Sequence, residues 1–212
     1  MSLFEKKQVP ARKTSYERKS KETQIKIPLL NVDGSGKTNI STSIGFLDHM
    51  LTLFAYHGYF DLELSASGDT QVDRHHLNED LGIALGEAFK KALGDCRGIT
   101  RTASAEVPMD MARAKVLIDL SNRDAFSFTE STSTGYPVPT DDKEGYSIDM
   151  AKDMLESFTK NLRLNLHIEI GGDGDLHHYL EAVFKALGIA LDRATRVDQR
   201  RAGEIPSSKG IL

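Results

Sequence analysis

The chain has 212 residues, a formal net charge of −4, 39% hydrophobic residues and 27% charged residues. This composition is typical of a soluble globular protein, and the absence of an apolar run near the roughly 20 residues of a membrane span argues against a membrane protein. The net negative charge argues against nucleic-acid binding by the basic N-terminal residues. The first residues lack the apolar stretch of a signal peptide, so we expect a cytoplasmic protein.

Alternation of apolar and polar residues predicts strands, and a period of 3.6 residues predicts helices. In chain order these are strand 23–30, helix 46–57, strand 59–67, helix 76–93, strands 114–121 and 125–131, helix 148–161, strand 162–170 and helix 177–193. A hairpin-like turn is expected at 33–36 and a loop at 135–139. The pattern predicts an α/β fold, more closely an α+β sandwich in which each half is a small sheet with helices packed on one face.

A His-His dipeptide occurs twice, and each copy is followed by a Glu on a helix-like apolar pattern. The two sets are His75-His76 with Glu79, and His177-His178 with Glu181. Residues four apart share a helix face, so His75 and His177 can each converge with their Glu on one point. Adjacent helical positions differ by about 100°. His76 and His178 are therefore expected to serve a second ion, or to cross over to the other copy's site.

The duplication extends to one more residue on an earlier helix of each half, His49 and Asp153. Two metal sites with four protein ligands each are the economical interpretation, because histidine pairs beside Glu at the same offset rarely recur by accident. The candidate ligands are His49, His75, His76, Glu79, Asp153, His177, His178 and Glu181. Imidazole with carboxylate suits Mn, Fe, Co, Ni or Zn, and ligand type alone does not choose among them. His57 and His167 lie outside the matched set, and we expect structural roles for them.

The duplication also predicts the domain organisation. We expect a flexible N-terminal arm at 1–20, two half-domains at 21–97 and 98–193 that share a core, and a C-terminal substrate-binding tail at 194–212. The single cysteine, Cys96, argues against a disulfide framework and a structural zinc site.

Eight segments resemble, in order, the imidazole glycerol phosphate dehydratase family of histidine biosynthesis. They are Lys21-Glu22-Thr23, GFLDHML, DRHHLNEDLGIALG, GITR, DLSNR, LHIEI, HHYLEAVFKAL and PSSKG, and they span residues 21–210. The resemblance implies a hydro-lyase that converts D-erythro-imidazole glycerol phosphate to imidazole acetol phosphate with two Mn(II) ions per active site. It also implies a homo-oligomer, in which trimers assemble into a 24-subunit shell with sites between subunits.

The resemblance further implies roles for individual residues. Seven of the eight candidate ligands match the family pattern, all except Asp153. The catalytic carboxylates would be Glu22, Glu79 and Glu181, and the phosphate would be held by Arg101, Arg123, Ser207 and Lys209, since guanidinium and ammonium groups form charge-assisted bonds to phosphate. Glu22 is the candidate general base, with a metal-bound water as its competitor and a purely orienting role as the alternative.

One position departs from the family pattern, which usually has a histidine where this chain has Asp153. An aspartate can still bind a metal, but its shorter reach and its charge make the site harder and favour Mn(II). Glu156, on the same helix face, is a less favoured substitute. The segment DLSNR also lacks the glycine of the family form, which affects the turn more than Arg123.

Two other function classes fit the duplicated metal ligands. A dinuclear metallohydrolase would use paired ions to activate water against a phosphate ester, and it would release inorganic phosphate. A metal-dependent assembly protein would use His and Glu to join subunits, and it would assemble without turnover.

Overall fold

The computed structural model describes residues 11–132, 145–201 and 203–211. In chain order these form β1 (Lys13–Lys19), β2 (Thr23–Asn31), β3 (Thr38–Ser41), α1 (Gly45–His57), β4 (Asp61–Gly68), α2 (Arg74–Leu93), β5 (Thr102–Met109), β6 (Ala112–Asp119), β7 (Ala125–Thr132), α3 (Ile148–Leu162), β8 (Asn165–Gly172), α4 (Leu176–Thr195) and a short 3-10 helix (Gln199–Arg201). Within these ranges, none of the helices has both the length and the apolar character needed to cross a bilayer.

The two halves of the chain form two four-stranded sheets with the same topology. The strand orders are β1-β2-β4-β3 and β5-β6-β8-β7. In each sheet the first three strands pair antiparallel and the last pair is parallel. Each half therefore repeats the order β-β-β-α-β-α. The predicted α+β architecture with two similar halves is confirmed.

One face of each sheet supplies the core. On β8, Leu166, Ile168 and Ile170 are buried, whereas His167 between them is exposed, as the alternating pattern predicted. The four helices lie between the inner faces of the two sheets: α1 and α2 contact strands of the first sheet, and α3 and α4 contact strands of the second. Full burial of one such aliphatic side chain stabilises the fold by about 1.5–3 kcal/mol.

Three strands were missed by the sequence analysis, namely β1, β3 and β5. The strand β1 lies in the segment 1–20 that was expected to be a flexible arm, and it pairs antiparallel with β2 along its length. Its residues alternate between exposed and half-buried positions, and the half-buried Arg18 forms an ion pair with Asp80 of α2 at 2.8 Å. Long basic side chains can cover an apolar surface with their aliphatic part. A charged residue at an inward-facing position therefore interrupts the alternation of apolar and polar residues by which a strand is predicted. The strand β1 therefore belongs to the first sheet.

The turn at 33–36 is not a hairpin, because β2 and β3 lie on opposite sides of β4. The connection is fixed by Asp61 at the start of β4. Its carboxylate accepts hydrogen bonds from the backbone N–H groups of Ser35 at 2.8 Å and Lys37 at 3.1 Å. Burial alone would raise the pKa of Asp61, but these bonds outweigh it and lower that pKa. The expected loop at 135–139 lies outside the described residues.

Helices from different halves pack in close parallel pairs, α1 with α4 and α2 with α3. Glycines allow the close approach. A Cβ at Gly188 of α4 would lie 2.3 Å from the backbone oxygen of Phe54 in α1, and a Cβ at Gly82 of α2 would lie 2.3 Å from that of Met154 in α3. Because the paired helices run in the same direction, the N-terminal turns of α2 and α4 lie beside helices of the opposite half.

Gly188→Ala should destabilise the protein by about 1–3 kcal/mol, because the added methyl group meets backbone and forces α1 and α4 apart. Urea unfolding measures the effect. Gly45→Ala is the matched control, because no atom lies within 4 Å of a Cβ at Gly45. Equal stability of the two variants would contradict the close packing of α1 and α4.

Candidate metal centre

The first cluster of candidate ligands joins both halves of the chain. It consists of His49 of α1 with His177 and Glu181 of α4, whose ligand atoms all lie within 4.8 Å of one another. Glu181 Oε2 lies 3.3 Å from His177 Nε2 and 3.8 Å from His49 Nε2. Each of the two imidazoles therefore faces the same carboxylate oxygen, Glu181 Oε2, through its own Nε2 atom.

The carboxylate of Glu181 is the most buried group of this cluster, with 8% of the residue exposed. Burial by itself would raise the pKa of Glu181, but the hydrogen bond and charge of Lys185, together with His49 and His177, outweigh burial and lower that pKa. Lys185 lies one turn after Glu181 on α4, and its Nζ is 2.5 Å from Glu181 Oε1. The carboxylate is thus kept ionised, which is the form that binds a cation.

The second cluster is the counterpart of the first, with the halves exchanged. It consists of His75 and Glu79 of α2 with Asp153 of α3. His75 Nε2 lies 4.0 Å from Glu79 Oε2, and His75 Nδ1 lies 3.3 Å from Asp153 Oδ2. Asp153 thus lies beside His75, at the ring nitrogen that does not face Glu79. Each cluster takes its His-x-x-x-Glu pair from one half and its single residue from the other.

Aspartates begin both helices that carry the His-His dipeptides. Asp73 caps α2 by accepting a hydrogen bond from the backbone N–H of His75 at 2.8 Å, and Asp175 caps α4 by accepting one from His178 at 2.9 Å. Such caps satisfy backbone donors that have no partner within the helix. They hold both dipeptides in the first helical turn.

The second histidine of each dipeptide lies outside its neighbour's cluster. His76 Nδ1 contacts Asp69 at 3.2 Å and Glu22 at 4.0 Å. The hydrogen bond to Asp69 is the main cause of a raised pKa at His76. His178 lies 3.5 Å from Asp110, in the turn between β5 and β6, and Glu22 lies in the equivalent turn between β1 and β2. Each second histidine is thus held by carboxylates from its own half.

The residues predicted to bind phosphate lie at the other end of the helices. The backbone N–H of Arg101 donates to Ala194 near the C-terminal end of α4, and its guanidinium pairs with Asp119 at 2.7 Å and donates to the Pro206 carbonyl at 2.8 Å. Ser207 and Lys209 follow Pro206. A helix of 20 residues such as α4 is about 30 Å long. In one chain, these residues and the metal clusters are therefore far apart.

Comparison with known proteins identifies the family of the chain. The family model described as Imidazoleglycerol-phosphate dehydratase matches residues 42–191. The chain belongs to the imidazoleglycerol-phosphate dehydratase family. Proteins of that name from Roseiflexus sp. (strain RS-1) and Thermoanaerobacter sp. (strain X514) are 48% and 46% identical to it, over 95% of this chain and 98% and 100% of their own.

Two solved structures have the same architecture. The enzyme from Pyrococcus furiosus, in complex with (S)-C348, is 35% identical with a TM-score of 0.74, over 92% of this chain and 99% of that one. The enzyme from Staphylococcus aureus subsp. aureus N315 is 30% identical with a TM-score of 0.74, over 87% and 100%. The predicted resemblance is confirmed, and the chain is a hydro-lyase of histidine biosynthesis. The comparisons support neither the metallohydrolase nor the assembly protein.

Lys185, Asp69 and Asp110 also contact candidate ligands, and none of the three was predicted from the sequence. The spacing of Glu181 and Lys185 is a signal that could have been used, because residues four apart on a helix form ion pairs. Asp69 and Asp110 lie in loops, where no periodicity indicates a contact.

A buried hydrogen-bonded network joins the start of α3 to α2 beside the second cluster. The Tyr146 hydroxyl donates to Asn78 Oδ1 at 2.8 Å, and Asn78 Nδ2 donates to the Met150 carbonyl at 2.7 Å. Both side chains are fully buried, and burial raises the pKa of Tyr146 far above its usual range. Since Asn78 precedes Glu79, this network fixes the position of α3, and so of Asp153, against α2.

Tyr146→Phe and Asn78→Leu should each lower the free energy of unfolding by about 1–3 kcal/mol, because each leaves a buried polar group without its partner. The double variant should lose less than the sum of the two, which a double-mutant cycle in urea measures. Tyr56→Phe is the control, since that side chain is 62% exposed. Additive losses would show that the two side chains are not coupled.

Proposed function

We propose that the chain removes water from D-erythro-imidazole glycerol phosphate to give imidazole acetol phosphate, at an active site with two Mn(II) ions. The observation that carries this proposal is the convergence of His49, His177 and Glu181 from two halves of a dehydratase-family chain. The His-x-x-x-Glu pair of His75 and Glu79, with Nε2 4.0 Å from Oε2, supports a second ion.

The donor atoms of the first cluster fit a metal ion. Nitrogen and oxygen ligands bind such an ion at about 2.0–2.2 Å, so two ligands of one ion lie about 3–4 Å apart, as Glu181 Oε2 does from both imidazoles. His75 and Glu79 would hold the second ion. His76 and His178 of neighbouring chains would complete the sites, because their own chain leaves them outside its clusters. When bound, the two ions act as Lewis acids and as a template for the imidazole ring of the substrate.

Glu22 is proposed as the general base. It takes the proton from the carbon next to the one that loses its hydroxyl group. It lies in the turn between β1 and β2, its side chain is 58% exposed, and its carboxylate is 4.0 Å from His76 Nδ1. The backbone N–H of Glu22 donates a hydrogen bond to the Ser20 hydroxyl at 3.1 Å, which fixes the turn. An exposed carboxylate on a fixed turn can reach a bound substrate. Glu79 and Glu181 would hold the ions and keep the substrate ring in place.

Arg101, Arg123, Ser207 and Lys209 are proposed to bind the substrate phosphate. The ion pair of Arg101 with Asp119 fixes the guanidinium plane, and the main contribution to the raised pKa of Arg101 is its hydrogen bond to Asp119. Arg123 is exposed, and its carbonyl accepts a hydrogen bond from Asn165 at 2.6 Å, which holds its backbone. Charged donors bind phosphate more strongly than neutral ones.

An active site shared between chains follows from the separation of these groups. A small phosphorylated substrate cannot span a helix of about 30 Å, so the metal clusters of one chain must meet the phosphate-binding residues of another. This supports a homo-oligomer, for which the resemblance implies trimers assembled into a 24-subunit shell. The cytoplasmic location stays a prediction.

The Mn(II)-loaded protein should form imidazole acetol phosphate from imidazole glycerol phosphate, and chelation should abolish the product. His177→Ala should lower turnover by more than about 100-fold, since loss of a ligand removes several kcal/mol of transition-state stabilisation. His167→Ala is the control, because this exposed histidine lies outside both clusters. Release of inorganic phosphate in place of the ketone would contradict the proposed reaction.

Mixing two impaired variants should restore activity if sites are shared between chains. His177→Ala removes a metal ligand and Arg101→Ala removes a phosphate contact, so co-assembled chains form some sites in which both residues are intact. The measurement is turnover after the two variants are dissociated and reassembled together, with each variant reassembled alone as the control. No recovery in the mixed assembly would indicate that each site is built by one chain.

A further inference from the structure

The two clusters differ in the ring nitrogens that face the carboxylates. In the first cluster, both His49 and His177 face Glu181 through Nε2. In the second cluster, His75 faces Glu79 through Nε2 but faces Asp153 through Nδ1. The first cluster therefore converges on one point, whereas the second has an imidazole placed between two carboxylates.

This difference restricts how one ion can use the second cluster. In a neutral imidazole the lone pair of Nε2 and the N–H bond of Nδ1 point away from each other, so an ion bound at Nε2 lies on the far side of the ring from a group at Nδ1. The duplication assigns Nε2 of His75 to the ion, because Glu79 faces it as Glu181 faces Nε2 of His177. Asp153 then lies on the side of the ring that the ion does not occupy.

A carboxylate at the second nitrogen has a well-defined effect on a metal-binding histidine. It accepts the N–H of that nitrogen, fixes the tautomer and the ring orientation, and makes the other nitrogen a better ligand. The same chain shows the arrangement at His76, whose Nδ1 hydrogen-bonds to Asp69 at 3.2 Å. Asp153 differs in that its carboxylate comes from a helix of the other half.

We propose that Asp153 is a positioning residue that orients His75 from the other half of the chain, and that it is not a ligand of the ion. This inference rests on the proposed metal centre. The ion at the second cluster then takes two ligands from this chain, His75 and Glu79, and the ion at the first cluster takes three. The two ions are therefore bound unequally, and the site at His75 has one more position open to water or substrate.

The test is a structure of the Mn(II)-loaded protein with anomalous scattering, combined with Mn(II) titration of variants. In the structure, the Asp153 carboxylate should stay beside His75 Nδ1, with no oxygen at the distance of about 2.0–2.2 Å that a bound carboxylate requires. Asp153→Ala should weaken Mn(II) binding at one site about 10- to 100-fold, the usual effect of losing such a partner. Asp153→Asn should weaken it less, because the amide oxygen still accepts from Nδ1.

The matched control is Asp149→Asn, which removes the same charge from the same helix at an exposed position. Asp149→Asn should leave the Mn(II) affinity of both sites unchanged. A carboxylate oxygen of Asp153 bound to the ion would overturn the positioning role, and so would unchanged affinity in Asp153→Ala or an equal loss in the Asn and Ala variants. Absence of Mn(II) binding by the wild-type protein would contradict the proposed metal centre itself, whereas wild-type binding with any of the other results contradicts only the role of Asp153.

Discussion

The contact on which the site depends is the close parallel packing of α1 against α4 and of α2 against α3. At Gly188 and Gly82 no side chain separates the facing backbones. Because these contacts join helices from different halves, they set the distance between His49 and Glu181 in one pair and between His75 and Asp153 in the other. A bulky residue at either glycine would act first on stability and then, through separation of that helix pair, on the cluster that the pair carries.

The charges around the first cluster show how a carboxylate is kept ionised in a largely buried position. Burial favours the protonated form of a carboxyl group. At Glu181 the effect is opposed by Lys185 on the adjacent turn and by two imidazoles, so the pKa is lowered. The second cluster has a different balance, because His75 has two half-exposed carboxylates beside it. Similar backbones thus give two different electrostatic settings.

Much of the fold and of the site could be predicted from the sequence, for identifiable reasons. The helices were predicted well because their apolar residues follow a regular period, and the paired histidines stood out because the pattern recurs. The strand β1 was missed because its inward-facing residues include Arg18, and β3 because it has only four residues. A turn at 33–36 was predicted, but the hydrogen bonds that hold it to Asp61 were not, because Asp61 lies far along the chain. Local patterns likewise could not show that each cluster draws on both halves, because this depends on how helices pair in space.

The exchange of residues between the halves also bears on how such a chain could have arisen. Two copies of a single half, packed as the halves are packed here, would form a symmetric dimer with two identical clusters. In such a dimer a substitution would change both clusters, because the two chains have the same sequence. When both halves lie in one polypeptide, a substitution changes one cluster and leaves the other intact. His49 and Asp153 occupy equivalent places and differ in this way. The chain therefore has the layout of a two-fold dimer of half-domains within one polypeptide, in which the two clusters can differ residue by residue.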